Sequence, residues 1–252
     1  MANFTPVKRY ILYCLDRAID KHGLKSPFLD VGCGIGDVSA HLAARGFYGD
    51  AIDASAHAIA KARINLKHFP LTLHHRQLDE HAGVYATILL MDVLEHIEDD
   101  AGALRQVASL LHDGGHVVIA VPSNPREWRW DDAFYGHVRR YSLPELALLL
   151  EASGLTLVEA HDFTFPLFWL MRRIYTRLKP QPALEAESIA ERTQASATRN
   201  AWEMPLISRM LTKTAPLWAV FFRVQFPLRK IALGLGYEML VIARKDRNDR
   251  LR

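Results

Sequence analysis

Residues 28–39 read F-L-D-V-G-C-G-I-G-D-V-S. A short apolar strand (Phe28, Leu29, Val31) runs into glycines at alternate positions, Gly32, Gly34 and Gly36, and a helical pattern (Val38, Leu42, Ala43) follows. Glycine has no Cβ, so the turn can be tight and its backbone can press against a ligand. The helix after it offers free N–H groups and a positive dipole end. Strand, glycine turn and helix together describe a nucleotide-type cofactor site at the edge of a parallel sheet.

Working outward, residues 6–22 carry apolar groups at helical spacing (Val7, Tyr10, Ile11, Cys14, Leu15, Ala18, Ile19), with Gly23 as the C-cap. That helix either packs on the sheet or lids the cofactor, and packing is the plainer reading. After the first strand (27–31) and its helix (37–45), a second strand, 47–52, ends at Asp53, 21 positions after Gly32. A carboxylate there reaches both hydroxyls of an adenosine ribose; capping the next helix is its other use, one it shares with Ser55. A third strand, 71–78, ends at Asp79, which suits the adenine amino group; a surface-loop aspartate is the plainer reading. A fourth, Ala86–Met91, is continuously apolar, as a strand buried on both faces should be, and leads to Asp92, Glu95 and His96. A helix near 99–111, a turn at His112–Gly115 and a fifth strand, 116–121, complete a regular alternation. The fold class is therefore α/β, a doubly wound sheet.

Residues 123–142 form a long aromatic and basic loop with His137, Arg139, Arg140 and Tyr141, ahead of a capping box at Ser142 and Glu145 and a sixth strand, 155–160. Regularity then stops. Residues 163–235 show no clear strand; 180–203 are polar and helix-prone, and 163–230 carry 11 Lys+Arg against 4 Asp+Glu. A last strand, 238–243, precedes a charged tail. The division is a core of 1–162 and 236–246 with a helical insert at 163–235. That insert reads as an acceptor lid, as an amphipathic platform on an anionic membrane (Arg172, Arg173, Arg177, Lys179), or as a homodimer interface.

The chain has 252 residues, half of them apolar, and a net charge of +3. That suits one sizeable core and gives no footprint for nucleic acid. Two cysteines, Cys14 and Cys33, make no disulfide framework, the first residues carry no secretory leader, and no apolar run approaches the ~18 residues of a membrane span. A cytoplasmic location, with peripheral membrane contact as an extension through the insert, is the expectation.

D-V-G-C-G-I-G (30–36), A-I-D-A-S (51–55), M-D-V-L-E-H-I (91–97) and D-G-G-H-V-V-I-A-V-P (113–122) occur in this order. Together they resemble the class I S-adenosylmethionine-dependent methyltransferases, in the branch of the ubiquinone-biosynthesis O-methyltransferases and many natural-product enzymes. The resemblance implies a seven-stranded, mostly parallel Rossmann-like sheet with S-adenosyl-L-methionine as cofactor. Asp30 and the backbone of Gly32, Cys33, Gly34 and Gly36 would hold its methionine end. Asp53 and Ala54 would meet the ribose, Asp79 the adenine edge, and Met91 and Asp92 would lie beside the sulfonium. A nicotinamide dehydrogenase is the remote rival, since the third glycine comes one residue early for its G-x-G-x-x-G fingerprint.

Methyl transfer to oxygen needs a deprotonated hydroxyl, and histidine suits that near neutral pH. His137 is the first choice of base and His96 the second, with Arg139, Arg140 and Tyr141 either holding an anionic acceptor group or anchoring the loop. No metal-ligand constellation is visible in the sequence, so a metal-free mechanism is expected. The expected reaction is O-methylation of a small, hydrophobic acceptor; alternatives are C- or N-methylation of a lipid or natural product, or a non-catalytic cofactor-binding module.

Overall fold

The computed structural model describes residues 6–179, 181, 192 and 214–246. Seven strands form one sheet in the order β3-β2-β1-β4-β5-β7-β6. They are β1 (Phe28–Val31), β2 (Gly49–Asp53), β3 (Leu71–His75), β4 (Tyr85–Met91), β5 (Leu111–Pro122), β6 (Leu155–Asp162) and β7 (Glu238–Lys245). All pairs are parallel except those of β7, which is antiparallel to both β5 and β6. The expected doubly wound, mostly parallel architecture is what the chain adopts.

Side chains alternate across the sheet because the strand repeat is two residues. Ile88, Leu90, Val117 and Ile119 point to one face, where α4 (Asp100–Leu110) and α6 (Leu143–Ala152) cover them with Leu104, Val107, Leu146 and Leu150. Leu89, Val118, Ala120, Leu240 and Ile242 point to the other, under α1 (Pro6–His22). Helix α1 is therefore a packing element: it buries the expected stripe, and its Tyr10 ring lies 4.9 Å from Phe222 and 5.7 Å from Phe168. Helices α2 (Asp37–Ala44) and α3 (Ala56–Asn65) follow β1 and β2.

Several expectations need correction. Strand β3 closes at His75, so Asp79 does not end a strand but sits exposed on the turn beyond it. The turn expected at His112–Gly115 lies inside β5 as an irregularity: Leu111 pairs with Tyr85 and His116 with Thr87, and the residues between bulge out of the ladder. The long loop 123–142 is ordered by a 3₁₀ turn, Pro125–Glu127, and a short helix, α5 (Trp130–Tyr135), with Ser123 bridged to Tyr141.

Among the described residues, the α-helices α7 (Leu167–Leu178) and α8 (Ala215–Gln225) lie between β6 and β7. Helix α7 is amphipathic in an inverted sense. It buries Phe168, Arg172, Tyr175 and Thr176 and exposes Leu170, Ile174 and Leu178. Arg172 thus faces the core, and Arg173 is paired with Glu127, so neither is aimed at an anionic membrane as the platform reading requires. No helix among the described residues is long and apolar enough to cross a membrane. Most of the polar stretch 180–203 and the tail beyond residue 246 lie outside the described residues.

Candidate functional site

The order β3-β2-β1-β4-β5 places the switch point of the sheet between β1 and β4, and ligands of such sheets bind beyond the strand carboxyl ends there. The glycine turn after β1 and the segment after β4 meet at that point. Gly32 has φ +66°, and a Cβ on it would lie 2.5 Å from Val93 Cγ2. Gly36 has φ +89°, and a Cβ there would lie 2.7 Å from Leu66 Cδ1. Both positions disfavour a side chain, by conformation and by space. The result is a tight glycine turn, packed on Val93 and Leu66, leading into α2.

Aspartates brace this turn. Asp53, the last residue of β2, accepts 2.8 Å from the Gly34 N–H through Oδ2 and 2.7 Å from the Ser55 N–H through Oδ1. It therefore shapes the turn, and it keeps acceptor capacity because a carboxylate has about four acceptor sites. Helix capping falls to Ser55, which accepts from the Ala58 N–H at 3.3 Å. Asp30 is buried and accepts 2.5 Å from Ser39 Oγ. Burial, with some help from Asp53, pushes its carboxyl up to about 7. Cys33 fills the turn as a small buried group: its N–H donates to the Ile52 carbonyl, and burial pushes its thiol up, which leaves it inert. The Ala54 carbonyl accepts a contact from His75 at 3.0 Å.

On the other side of the switch point, β4 ends at Met91, and Asp92 adopts φ +58°, uncommon for a residue with a side chain. The strained backbone leaves the Asp92 carboxylate exposed beside Glu238, the first residue of β7, to which it is hydrogen-bonded. Burial and Asp92 push the Glu238 carboxyl well up. The next turn, Leu94–His96, carries Glu95 into the interior at 0 % exposure. Among the described residues its two oxygens meet no hydrogen-bond partner on another residue, and burial together with Asp92 pushes its carboxyl well up.

His96 and His137 come together here, their rings 5.0 Å apart and edge to face. His137 Nε2 lies 3.8 Å from Glu95 Oε1, and its Nδ1 is 3.0 Å from Asp132 Oδ1. His96 Nδ1 is 3.2 Å from the Gly136 carbonyl. Burial, and then His137, lower His96 to about 4, so it is neutral near pH 7. The two histidines expected from the sequence thus share one corner, and Glu95 joins them.

Arg139, Arg140 and Tyr141 are anchors. Arg139 donates to Asp100 at 2.6 Å and to the Glu98 carbonyl at 2.8 Å. The Tyr141 hydroxyl is 2.9 Å from Asp100 Oδ2 and its side chain is buried, which pushes its ionisation up. It braces the loop through that bond. Arg140 donates to Asp132 and to the Ser123 and Tyr237 carbonyls. From α7, Arg172 donates to both oxygens of Asp131 and, at 2.9 Å, to Asp132. Burial alone would raise the Asp132 carboxyl; the His137 bond and the two guanidiniums hold it well below the usual carboxylate range. Trp169 and Arg173 both donate to Glu127, tying α7 to the same loop.

A sequence model described as a methyltransferase domain matches residues 5–160. The chain belongs to the methyltransferase-domain family. The resemblance to class I S-adenosylmethionine-dependent methyltransferases holds, and S-adenosyl-L-methionine is the cofactor of that class. Among relatives, this chain is 32 % identical over 134 residues to the ubiquinone biosynthesis O-methyltransferase of Aeromonas salmonicida (strain A449), an alignment covering 50 % of this chain and 56 % of the other. The chain spans about half the length of the curated relatives it matches. Its fold is similar to that of the N-methyltransferase NodS from Bradyrhizobium japonicum WM9, solved with S-adenosyl-L-homocysteine (TM-score 0.56, 16 % identity, 96 % and 88 % of the two chains). It is also similar to that of the [4+2]-cyclase SpnF (TM-score 0.59, 15 % identity, 94 % and 81 %). These two likenesses concern the fold alone, which hosts more than one chemistry.

Glu95, Asp132 and Glu238 carry no role in the sequence reading, and Arg172 carries a different one, as part of a membrane platform. Glu95 stood within a recognised motif. Asp132 and Arg172 are 40 positions apart and Glu238 opens a distant strand, so only the fold brings them to the corner.

Proposed function

We propose that this chain is an S-adenosylmethionine-dependent methyltransferase acting on a hydroxyl of a small, hydrophobic acceptor, with the Glu95–His96–His137 corner receiving the proton and His137 as its base. The observation that carries the reading is His137: Asp132 holds its Nδ1, and its Nε2 points into the corner that follows β4. With the N–H on Nδ1, the other nitrogen presents a lone pair, as a general base requires.

The glycine turn suits the cofactor, because glycines packed against Val93 and Leu66 leave its backbone N–H groups uncovered by side chains of their own. The backbone of Gly32, Cys33, Gly34 and Gly36 would hold the methionine end, with Asp30 buried behind as their brace. Asp53 and Ala54 would face the ribose, Asp79 the adenine side, and Met91 and Asp92 the sulfur. S-adenosylmethionine supplies a methyl group on a positively charged sulfur, displaced in line by an acceptor lone pair to leave S-adenosylhomocysteine. The protein's part is alignment, exclusion of water and removal of the acceptor's proton. The ubiquinone-biosynthesis O-methyltransferase relatives support oxygen as the acceptor atom. The aromatic insert groups Phe165, Phe168 and Trp169 support an apolar one, and the bonds from Trp169 and Arg173 to Glu127 support an insert that walls the acceptor side.

N-methylation is a second reading, favoured by the carboxyl groups of Asp92, Glu95 and Glu238, which would suit an amine.

The test is calorimetric titration with S-adenosylmethionine, S-adenosylhomocysteine and NADH, followed by transfer assays on apolar phenols and amines. Binding of the first two and methylation of a phenol, lost in His137→Ala with cofactor affinity intact, is the expected result. Binding of NADH alone overturns the assignment, and full activity of His137→Ala removes it as base.

A further inference from the structure

We infer that a cavity between α1, β6 and the turn after α8 is a second ligand site, which takes a phosphate monoester through Arg17 and Arg229. The cavity has a volume of about 330 Å³. Its walls include Arg17 and Lys21 of α1, Glu159 and His161 of β6, and Phe226 and Arg229 of the 3₁₀ turn Phe226–Lys230. Strands β4, β5 and β7 stand between β6 and β1. At about 4.8 Å per strand, β6 lies roughly 19 Å from β1, so the cavity is no part of the cofactor site.

The balance of charge points to an anion. The acids around the cavity are already matched. Glu159 meets Lys21 and His22, each at 2.7 Å. Asp20 meets Arg45 at 2.6 Å, and Asp16 is shared by Arg45 and His41. Arg17 and Arg229 are left over: among the described residues neither forms an ion pair with a carboxylate. Arg17 donates to the Tyr13 hydroxyl at 3.1 Å. Arg229 donates from Nη1 to the Phe226 carbonyl at 2.8 Å, while its Nε is buried without a hydrogen-bond partner among the described residues. A buried donor with nothing to donate to is costly, and an acceptor in the cavity would meet it.

One ring gathers both cations. The Arg229 guanidinium carbon lies 3.7 Å from the centre of the Phe226 ring, and that of Arg17 lies 5.9 Å from it. Stacking steadies the guanidinium planes and leaves their N–H edges for a ligand. The two like charges repel, and an anion between them relieves the repulsion. A phosphate monoester carries a charge of about −2 and three strong acceptor oxygens, which matches two guanidiniums. A single carboxylate balances only one of them. Phe226 and Ala18 give the carbon part of the ester an apolar wall. Arg17 belongs to α1 and Arg229 to the end of the insert, so the bound phosphate would clip the insert to the core.

The full chain is titrated calorimetrically with glycerol 3-phosphate at fixed ionic strength. In parallel it is sedimented with phosphatidylcholine vesicles containing phosphatidic acid, which tells a soluble ester from a lipid headgroup. One glycerol 3-phosphate per chain is expected, with affinity reduced at least about tenfold in Arg17→Gln and in Arg229→Gln. It should be unchanged in Arg9→Gln, an exposed arginine earlier on α1. Circular dichroism checks that each variant is folded, and Arg17, being exposed, keeps the test decisive if Arg229→Gln is not. Vesicle binding lost in the same variants, without binding of the soluble ester, would support the site and assign its phosphate to a lipid. No binding in either arm, equal affinity in the cavity variants and wild type, or displacement of the ester by saturating S-adenosylmethionine would overturn the inference.

Discussion

Replacing Gly32 by alanine puts two separable costs on one residue. At φ +66° an L-residue pays roughly 1–2 kcal/mol for the left-handed conformation. The new Cβ would also sit 2.5 Å from Val93 Cγ2 and 3.3 Å from Cγ1, and overpacking of that kind costs about 1–3 kcal/mol. Gly32→Ala should therefore lose about 2–5 kcal/mol. Val93→Ala removes both offending methyls and costs about 1 kcal/mol by itself, since Val93 is only partly buried. In the double variant the nearest remaining contact is the Val93 Cβ at 3.5 Å, an ordinary distance. The steric share then vanishes and only the backbone share is left. Urea unfolding of the four proteins closes the cycle, with an expected coupling of about 1–3 kcal/mol in favour of the double variant. Additivity within about 0.5 kcal/mol would show that the glycine turn and the segment after β4 do not touch as described.

Arg172→Met leaves Asp131 and Asp132 buried without their shared guanidinium and should cost about 3–5 kcal/mol in urea; a loss under about 1 kcal/mol would make the pairing incidental. Asp53→Ala frees the Gly34 and Ser55 N–H groups and removes the ribose acceptor, so calorimetry should show S-adenosylmethionine affinity falling severely, and unchanged affinity would end the ribose assignment. Asp30 titrates near 7 when folded, against about 4 unfolded, so the folded state holds the extra proton between these values. Its contribution to stability is greatest below about pH 4 and is lost as pH rises through 7, at up to about 1.4 kcal/mol per pH unit. Asp30→Asn should remove that slope in denaturation curves at pH 4.5, 6 and 7.5; identical slopes would contradict it.

The sheet was legible because each strand carries its own signal: continuous apolar runs in β4 and β5, glycines after β1, an acid closing β2. These are local patterns set by burial and backbone conformation. Strand β3 was misjudged by its end, since Arg76, Gln77 and Leu78 continue the chain without a turn residue to stop it. The histidines were legible as residue types and as positions past strand ends. Their company was not. Asp132 and Arg172 look like surface charges on helical segments until α7 turns its arginine inward, and no spacing within one segment encodes that. The anchoring of Tyr141 was hidden for the same reason: Asp100, 41 positions away, takes its hydroxyl.

The shared anchoring of Asp132 has a consequence for where this enzyme begins and ends as a unit of inheritance. The family pattern closes at residue 160, yet the aspartate that aims His137 is gripped by Arg172 from the insert, and Arg140 leans on the Tyr237 carbonyl just before the final strand. A transplant of the matched portion alone would carry the glycine turn and leave the neighbouring histidine corner without Arg172. Recombination among relatives must exchange α7 and β7 together with α5, or lose the orientation of the histidine they jointly hold.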